Sequence, residues 1–153
     1  MSVAYDELYL KQFEKAVAAV FMHMTEICCN VEDTLNAFLG STVFKDIHDR
    51  ANPMYLNKSP RQLFECLTFD EEFDVEATYP DTSKDYDRDI LYWTAIVLVR
   101  FQWYYNIDFS DWLNYFSFQD VYNKFYPAHE ASYQYTVELL KDEYDSVIMS
   151  NNK

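Results

Sequence analysis

A single glycine, Gly40, stands in 153 residues, where ordinary usage of about 7% gives roughly eleven. Walker-type phosphate loops, dinucleotide fingerprints and the G-x-S-x-G nucleophile elbow each need several glycines. Their backbone must approach phosphate closely or adopt positive φ. Those classes are excluded. Basic residues are also scarce, with 12 Lys and Arg against 26 Asp and Glu, for a formal charge of −14 and an isoelectric point near 4.4. A field of that sign repels nucleic acid and anionic membrane surfaces alike. Apolar runs are short. The longest uncharged one, Ile90 to Val99, has about half the ~20 residues that a membrane span requires.

Cysteine is sparse and awkwardly spaced. Cys28, Cys29 and Cys66 are odd in number, with one vicinal pair and no C-x-x-C, which does not resemble a secreted disulfide framework. Residues 1–15 mix acids with apolar residues and lack a basic leader region, so no signal peptide is expected. The reading is a cytoplasmic protein with reduced thiols.

What the chain does have is aromatic mass. Half of its residues are hydrophobic and 19% aromatic, including 14 Tyr and 12 Phe, a composition suited to a packed core rather than to disorder. The length fits one domain, residues 1–153, burying about 70% of its unfolded surface.

The apolar residues recur at helical spacing. Tyr9, Phe13, Ala16, Val17, Val20, Met24, Ile27 and Cys28 predict a long helix over about 5–29. Asn30 and Asp33 open a second helix carrying Val31, Leu35, Phe38 and Leu39. Gly40 is then expected as its positive-φ C-cap. Ser41 caps a short helix that Asn52-Pro53 breaks, and Ser59-Pro60-Arg61-Gln62 starts another. Residues 68–84 lack a period and read as an acidic loop. A second long helix is predicted over about 85–106, with Ile90, Trp93, Val97, Arg100, Phe101 and Tyr104 on one broad face. Asp108 and Ser117 open two short helices, and Tyr126-Pro127 precedes a terminal helix over about 128–149. No strand-like alternation occurs. The expected fold is all-α, a compact multi-helix bundle. Asp33–Phe38 matches Asp111–Phe116 at four of six positions, which is compatible with either a duplicated helical unit or two similar amphipathic helices.

Charge is concentrated. Residues 70–90 hold nine acids against Lys84 and Arg88, so half of the −14 lies in 21 residues. Like charges this dense repel one another. The aromatics among them make Asp70, Glu71, Glu72, Phe73, Asp74, Glu76, Tyr79, Asp81 and Tyr86 the candidate partner-binding residues. A solvated linker is the plainer alternative.

Catalytic and metal signatures are lacking. His23 and Cys28 fall on different helix faces, and His23-Met24-Thr25-Glu26 reverses the Glu-x-x-His of di-iron bundles. Cys66 has no histidine partner specified by spacing. None of Arg50, Arg61, Arg88 or Arg100 precedes a histidine by the four to six residues typical of helical ribonuclease toxins. No metal, cofactor or enzymatic activity is expected. Arg100, set in an aromatic stripe, must pair with a carboxylate or stack on rings, because an unpaired buried charge is costly. It either ties helices together or, with Trp93, Tyr104 and His129, lines an anion-gripping pocket. His129, expected at the start of the last helix, reads as a packed or capping residue rather than a general base.

Asp89-Ile90-Leu91-Tyr92-Trp93-Thr94, with Arg100 two turns later, His129 beyond it and an earlier segment Val31 to Pro60, resembles a group of small uncharacterised helical proteins of low-GC Gram-positive bacteria encoded near toxin-like genes. Ala95 stands where that group's pattern has glycine. The resemblance implies an antitoxin- or immunity-like role and carries no catalytic residues. The expected function is therefore a non-enzymatic acidic module that binds a basic protein, either a toxin or a nuclease. One alternative is a phage-type nucleic-acid mimic of the anti-CRISPR or anti-restriction kind. Another is a small-molecule binder or enzyme built on the Arg100/Trp93 cluster.

Overall fold

The apolar stripe near the N-terminus coils as its spacing requires. In the computed structural model, which describes residues 6–27, 31–41, 44, 62 and 86–151, α1 runs Leu10–Ile27. A 3-10 turn, Glu7–Tyr9, leads into it. Asp6 is extended there, and its carboxylate accepts the Leu8 N–H at 2.9 Å. The regular helix thus starts later than residue 5, because Asp6 caps the 3-10 turn that precedes it. Leu10, Phe13, Val17, Val20 and Phe21 are buried along the stripe.

The second helix, α2, spans Val31–Leu39 and buries Leu35, Phe38 and Leu39. Gly40 departs from expectation, since its φ is not positive. A Cβ at Gly40 would lie 3.2 Å from the Leu113 Cδ1, so close approach rather than left-handed geometry accounts for it. Ser41 does act as a cap, its Oγ accepting the Phe44 N–H at 3.1 Å.

The third helix, α3 (Arg88–Tyr105), is the axis of the fold. Asp87 starts it rather than Asp85, its carboxylate accepting N–H bonds from Asp89 (2.8 Å) and Ile90 (3.2 Å). Asn106 ends it in the left-handed region at φ 52°, a conformation asparagine tolerates better than most residues. The expected single broad face is too narrow a description, because Leu91 and the run Trp93–Val99 are buried on nearly all sides. An all-round hydrophobic helix is one enclosed by its neighbours, and those neighbours are α1 and the last three of the four helices described next.

Asp108 caps α4 (Phe109–Trp112), accepting the Ser110 N–H at 2.9 Å. Ser117 precedes α5 (Phe118–Tyr122), where Asp120 reaches back to the Ser117 N–H at 2.8 Å. Next comes α6 (Phe125–Ala128), bent at Tyr126, whose φ −100°, ψ 119° is non-helical as a residue before proline prefers. The terminal helix, α7 (Tyr133–Asn151), begins five residues later than expected. Ser132 rather than the chain after Pro127 supplies the cap, accepting the Tyr135 N–H at 3.2 Å. His129 therefore closes the short α6 instead of opening α7.

The molecule is a compact all-α bundle with seven α-helices and no strand among the described residues. Their buried side chains form one cluster to which all seven helices contribute. The two matching hexapeptides have different local structures. Asp33–Phe38 lies within α2, whereas Asp111–Phe116 leaves α4 at Trp112 and continues as turn. Cys28, Cys29, Cys66 and the loop at 68–84 fall outside the described residues.

Candidate functional site

The site is built outward from Arg100. On α3 it faces α1, where its Nε donates to the Glu14 Oε1 at 2.6 Å. Its guanidinium carbon also lies 4.6 Å from the centre of the Tyr133 ring on α7. Glu14 is 6% exposed, whereas the Arg100 side chain is 35% exposed. The arginine therefore both pairs with a carboxylate and covers a ring, binding three helices at one point. Its partner is Glu14, an acid inside the stripe of α1.

Beside it lies a groove of about 310 Å³, lined by Leu8 and Lys11 from the N-terminal end, Arg100, Trp103 and Tyr104 from α3, and Gln134 from α7, with Glu7 and Leu10 completing it. Leu8 is 73% exposed and Tyr104 39%, so the groove has an apolar mouth. The four residues expected to share a pocket are separated. Arg100 and Tyr104 line the groove, but Trp93 and His129 do not. Trp93 packs edge-on against Phe125, which stacks on His129 at a ring-centre distance of 4.1 Å. His129 Nδ1 faces the Phe125 carbonyl, which requires that nitrogen to carry the proton. It is a packed, capping histidine.

A second feature is the corner between α4 and α7. Tyr105 is pushed above its ordinary value of 10.0, chiefly by burial and next by Glu138, with Tyr104, Asp142 and Asp145 adding to it. Tyr144 is raised likewise, first by burial and then by Asp111, Tyr115, Asp145 and Asp108. Asp111, Glu138, Asp142 and Asp145 are exposed there, as is Tyr115. Among the described residues the cations nearby are committed. Lys141 reaches both carboxylate oxygens of Asp145 at 2.7 Å and lies 5.4 Å from the Tyr105 ring centre, while Lys124 pairs with Glu143 at 2.9 Å.

Of the candidate partner-binding residues, Tyr86 is the one described. It is packed rather than presented. Its hydroxyl donates to the Gln119 Oε1 at 2.9 Å, and its ring lies 5.8 Å from Phe118 and 5.2 Å from Tyr122. Asp70, Glu71, Glu72, Phe73, Asp74, Glu76, Tyr79 and Asp81 lie outside the described residues.

No family model matches the chain, and comparison with curated proteins and with solved structures finds no match. Among the described residues no group of three or more His, Cys, Asp or Glu is placed to hold a metal ion, and no helix is long and apolar enough to cross a membrane.

Trp103 already stood with Arg100 in the aromatic stripe of the sequence, but Lys11 and Gln134 were missed as its neighbours, because α1 and α7 bring them to α3. Sequence reasoning also missed the α4–α7 corner. The available signal was the acid spacing on α7, where Glu138, Asp142 and Asp145 recur at three and four residues.

Proposed function

We propose that this chain is a non-enzymatic acidic protein-binding module that neutralises a basic protein partner, in the manner of an antitoxin or immunity protein. The observation that carries this reading is the disposition of charge. Arg100, Lys124 and Lys141 are held in ion pairs within the chain, while Asp111, Glu138, Asp142 and Asp145 stand exposed around Tyr105 and Tyr144. Residues 70–90 add a net −7.

Exposed carboxylates steer a cationic partner and offset its potential, and tyrosines provide large contact area with a polar tip. Toxins and nucleases that act on nucleic acid carry the complementary basic groove. The resemblance of the Asp89–Thr94 segment to proteins encoded near toxin-like genes points the same way.

The test is affinity capture from the source cell's lysate at low and high salt, followed by mass spectrometry. Two variants accompany the native chain, one with Asp70, Glu71, Glu72 and Asp74 changed to Ser, the other carrying Asp111→Asn, Glu138→Gln and Asp142→Asn. A single basic protein, retained by the native chain and lost from at least one variant, is the expected result. Identical capture by all three chains, or capture of nothing, overturns the proposal. Binding that collapses completely with salt favours a nucleic-acid mimic instead.

A further inference from the structure

The groove beside Arg100 stands apart from the acidic surfaces in both charge and shape. It gathers Lys11 and Arg100 in a chain with only 12 basic residues. Lys11 makes no ion pair among the described residues, unlike Lys124 and Lys141. Arg100 commits its Nε to Glu14, but a guanidinium has five N–H donors and this one remains partly open to solvent. The aromatic walls are Trp103 and Tyr104, with ring centres 6.3 Å apart and planes inclined at 58°. Gln134 adds an amide from the far side.

A volume of about 310 Å³ sits at the lower end of the ~300–1,000 Å³ range of small-molecule sites. Another depression among the described residues has a different character. Lined by Phe116, Asp120, Asn123, Lys124 and Glu143, it is crossed by the 2.9 Å Lys124–Glu143 pair, so its cation is already taken.

We infer that the Arg100 groove binds a small aromatic monocarboxylate, whose ring lies against Trp103 and Tyr104 and whose carboxylate meets Lys11 and Arg100. Each part of that ligand answers a named part of the site. Flat apolar surface at the mouth favours a ring, since stacked or edge-on aromatic pairs exceed their area burial in strength. Two cations converging on one groove favour an anion, and charge-assisted hydrogen bonds are the stronger kind. Glu7 lines the same groove and repels excess negative charge, which favours a single carboxylate over a phosphate dianion. This site is independent of the protein-binding reading, and either stands if the other fails.

The probe is 2-naphthoate, with the neutral 2-naphthamide as its isostere, titrated into the full chain while the tryptophan indole N–H signals are followed by NMR. Trp93 and Trp112 are buried at 7% and 1% exposure, so the signal expected to move is that of Trp103, assigned by its loss in Trp103→Phe. The amide should bind about tenfold more weakly or worse, and Lys11→Gln should weaken the carboxylate about threefold or more. Lys124→Gln removes the same charge elsewhere and should leave the affinity unchanged. Circular dichroism checks that each variant is folded. The inference is overturned if the Trp103 signal does not move, if the amide binds as well as the carboxylate, or if Lys11→Gln and Lys124→Gln have equal effects.

Discussion

Replacing Arg100 by Met removes one half of the ion pair with Glu14 and exposes the energetics of the point where α1, α3 and α7 meet. At an effective dielectric of about 20 and a charge separation of about 4 Å, the pair attracts by about 4 kcal/mol. Desolvation of Glu14, at 6% exposure, offsets much of that gain while both partners are present. Without Arg100 the attraction is lost while the desolvation remains, and the buried carboxylate stands alone, a situation that costs about 3–5 kcal/mol for a fully buried pair. Arg100 is about one-third exposed, which lowers the figure, while its contact with the Tyr133 ring adds about 0.5–1 kcal/mol. The expected cost of Arg100→Met is about 3 kcal/mol, or a fall in Tm of about 6–12 °C for a chain of this length.

The reverse change is milder. Glu14→Gln leaves an arginine that can turn to water over Tyr133 and should cost about 1–2 kcal/mol. The double variant Glu14→Leu/Arg100→Met should recover most of the loss, as apolar replacements of buried pairs commonly do. Urea unfolding followed by circular dichroism, with unchanged slope, measures all three. Equal losses in the two single variants, or a double variant whose loss is simply the sum of its parts, refutes this asymmetry.

Thr136 is fully buried with an unpartnered hydroxyl, so Thr136→Val should stabilise by about 1 kcal/mol. Destabilisation in the same urea experiment would show that the hydroxyl has a water partner. Tyr105 and Tyr144 are raised above 10.0 on folding, so the folded chain holds these protons more tightly than the unfolded one. Their contribution to stability is complete below pH 10 and is lost as pH rises from 10 through their folded values. Stability measured from pH 8 to 11 should therefore fall less steeply in Tyr105→Phe/Tyr144→Phe, and an unchanged slope contradicts the raised values. Gly40→Ala should change stability by less than about 1 kcal/mol, because its φ is ordinary and the Leu113 Cδ1 at 3.2 Å is a movable methyl. A loss of several kcal/mol by the same method would mean that Leu113 cannot yield.

The parts of this fold legible in the sequence are those with local causes. Asp108, Ser117 and Ser41 lie next to the helices they start, and the stripe from Tyr9 to Ile27 needs no knowledge of its partners, whereas α3 begins at Asp87 rather than at the expected Asp85. Where two local signals compete, the reading slips. Pro127 looked like the last break before α7, but Ser132 offers an oxygen to the Tyr135 N–H and the helix starts there. Non-local causes were illegible. Gly40 is small because Leu113 approaches it, and Glu14 partners Arg100 across 86 positions. The groove has no signature in any single segment, since its walls come from both ends of the chain. Spacing puts Trp93 and Tyr104 on one face of α3, yet the neighbours of that helix divide it and send Trp93 to Phe125.

The aromatic contacts of the interior also constrain how the protein moves. Phe118 meets Phe21, Phe21 meets Phe38, Phe38 meets Phe44, and Phe44 meets Phe109, each edge against face at ring-centre distances between 5.3 and 6.4 Å. Phe101 and Trp112 extend the chain of rings through α3 and α4. A half-turn of any one ring sweeps its edge through a neighbour's face, and in an interior packed as tightly as a crystal the neighbour must withdraw first. Flips of these rings therefore require α1, α2, α4 and α5 to give way together.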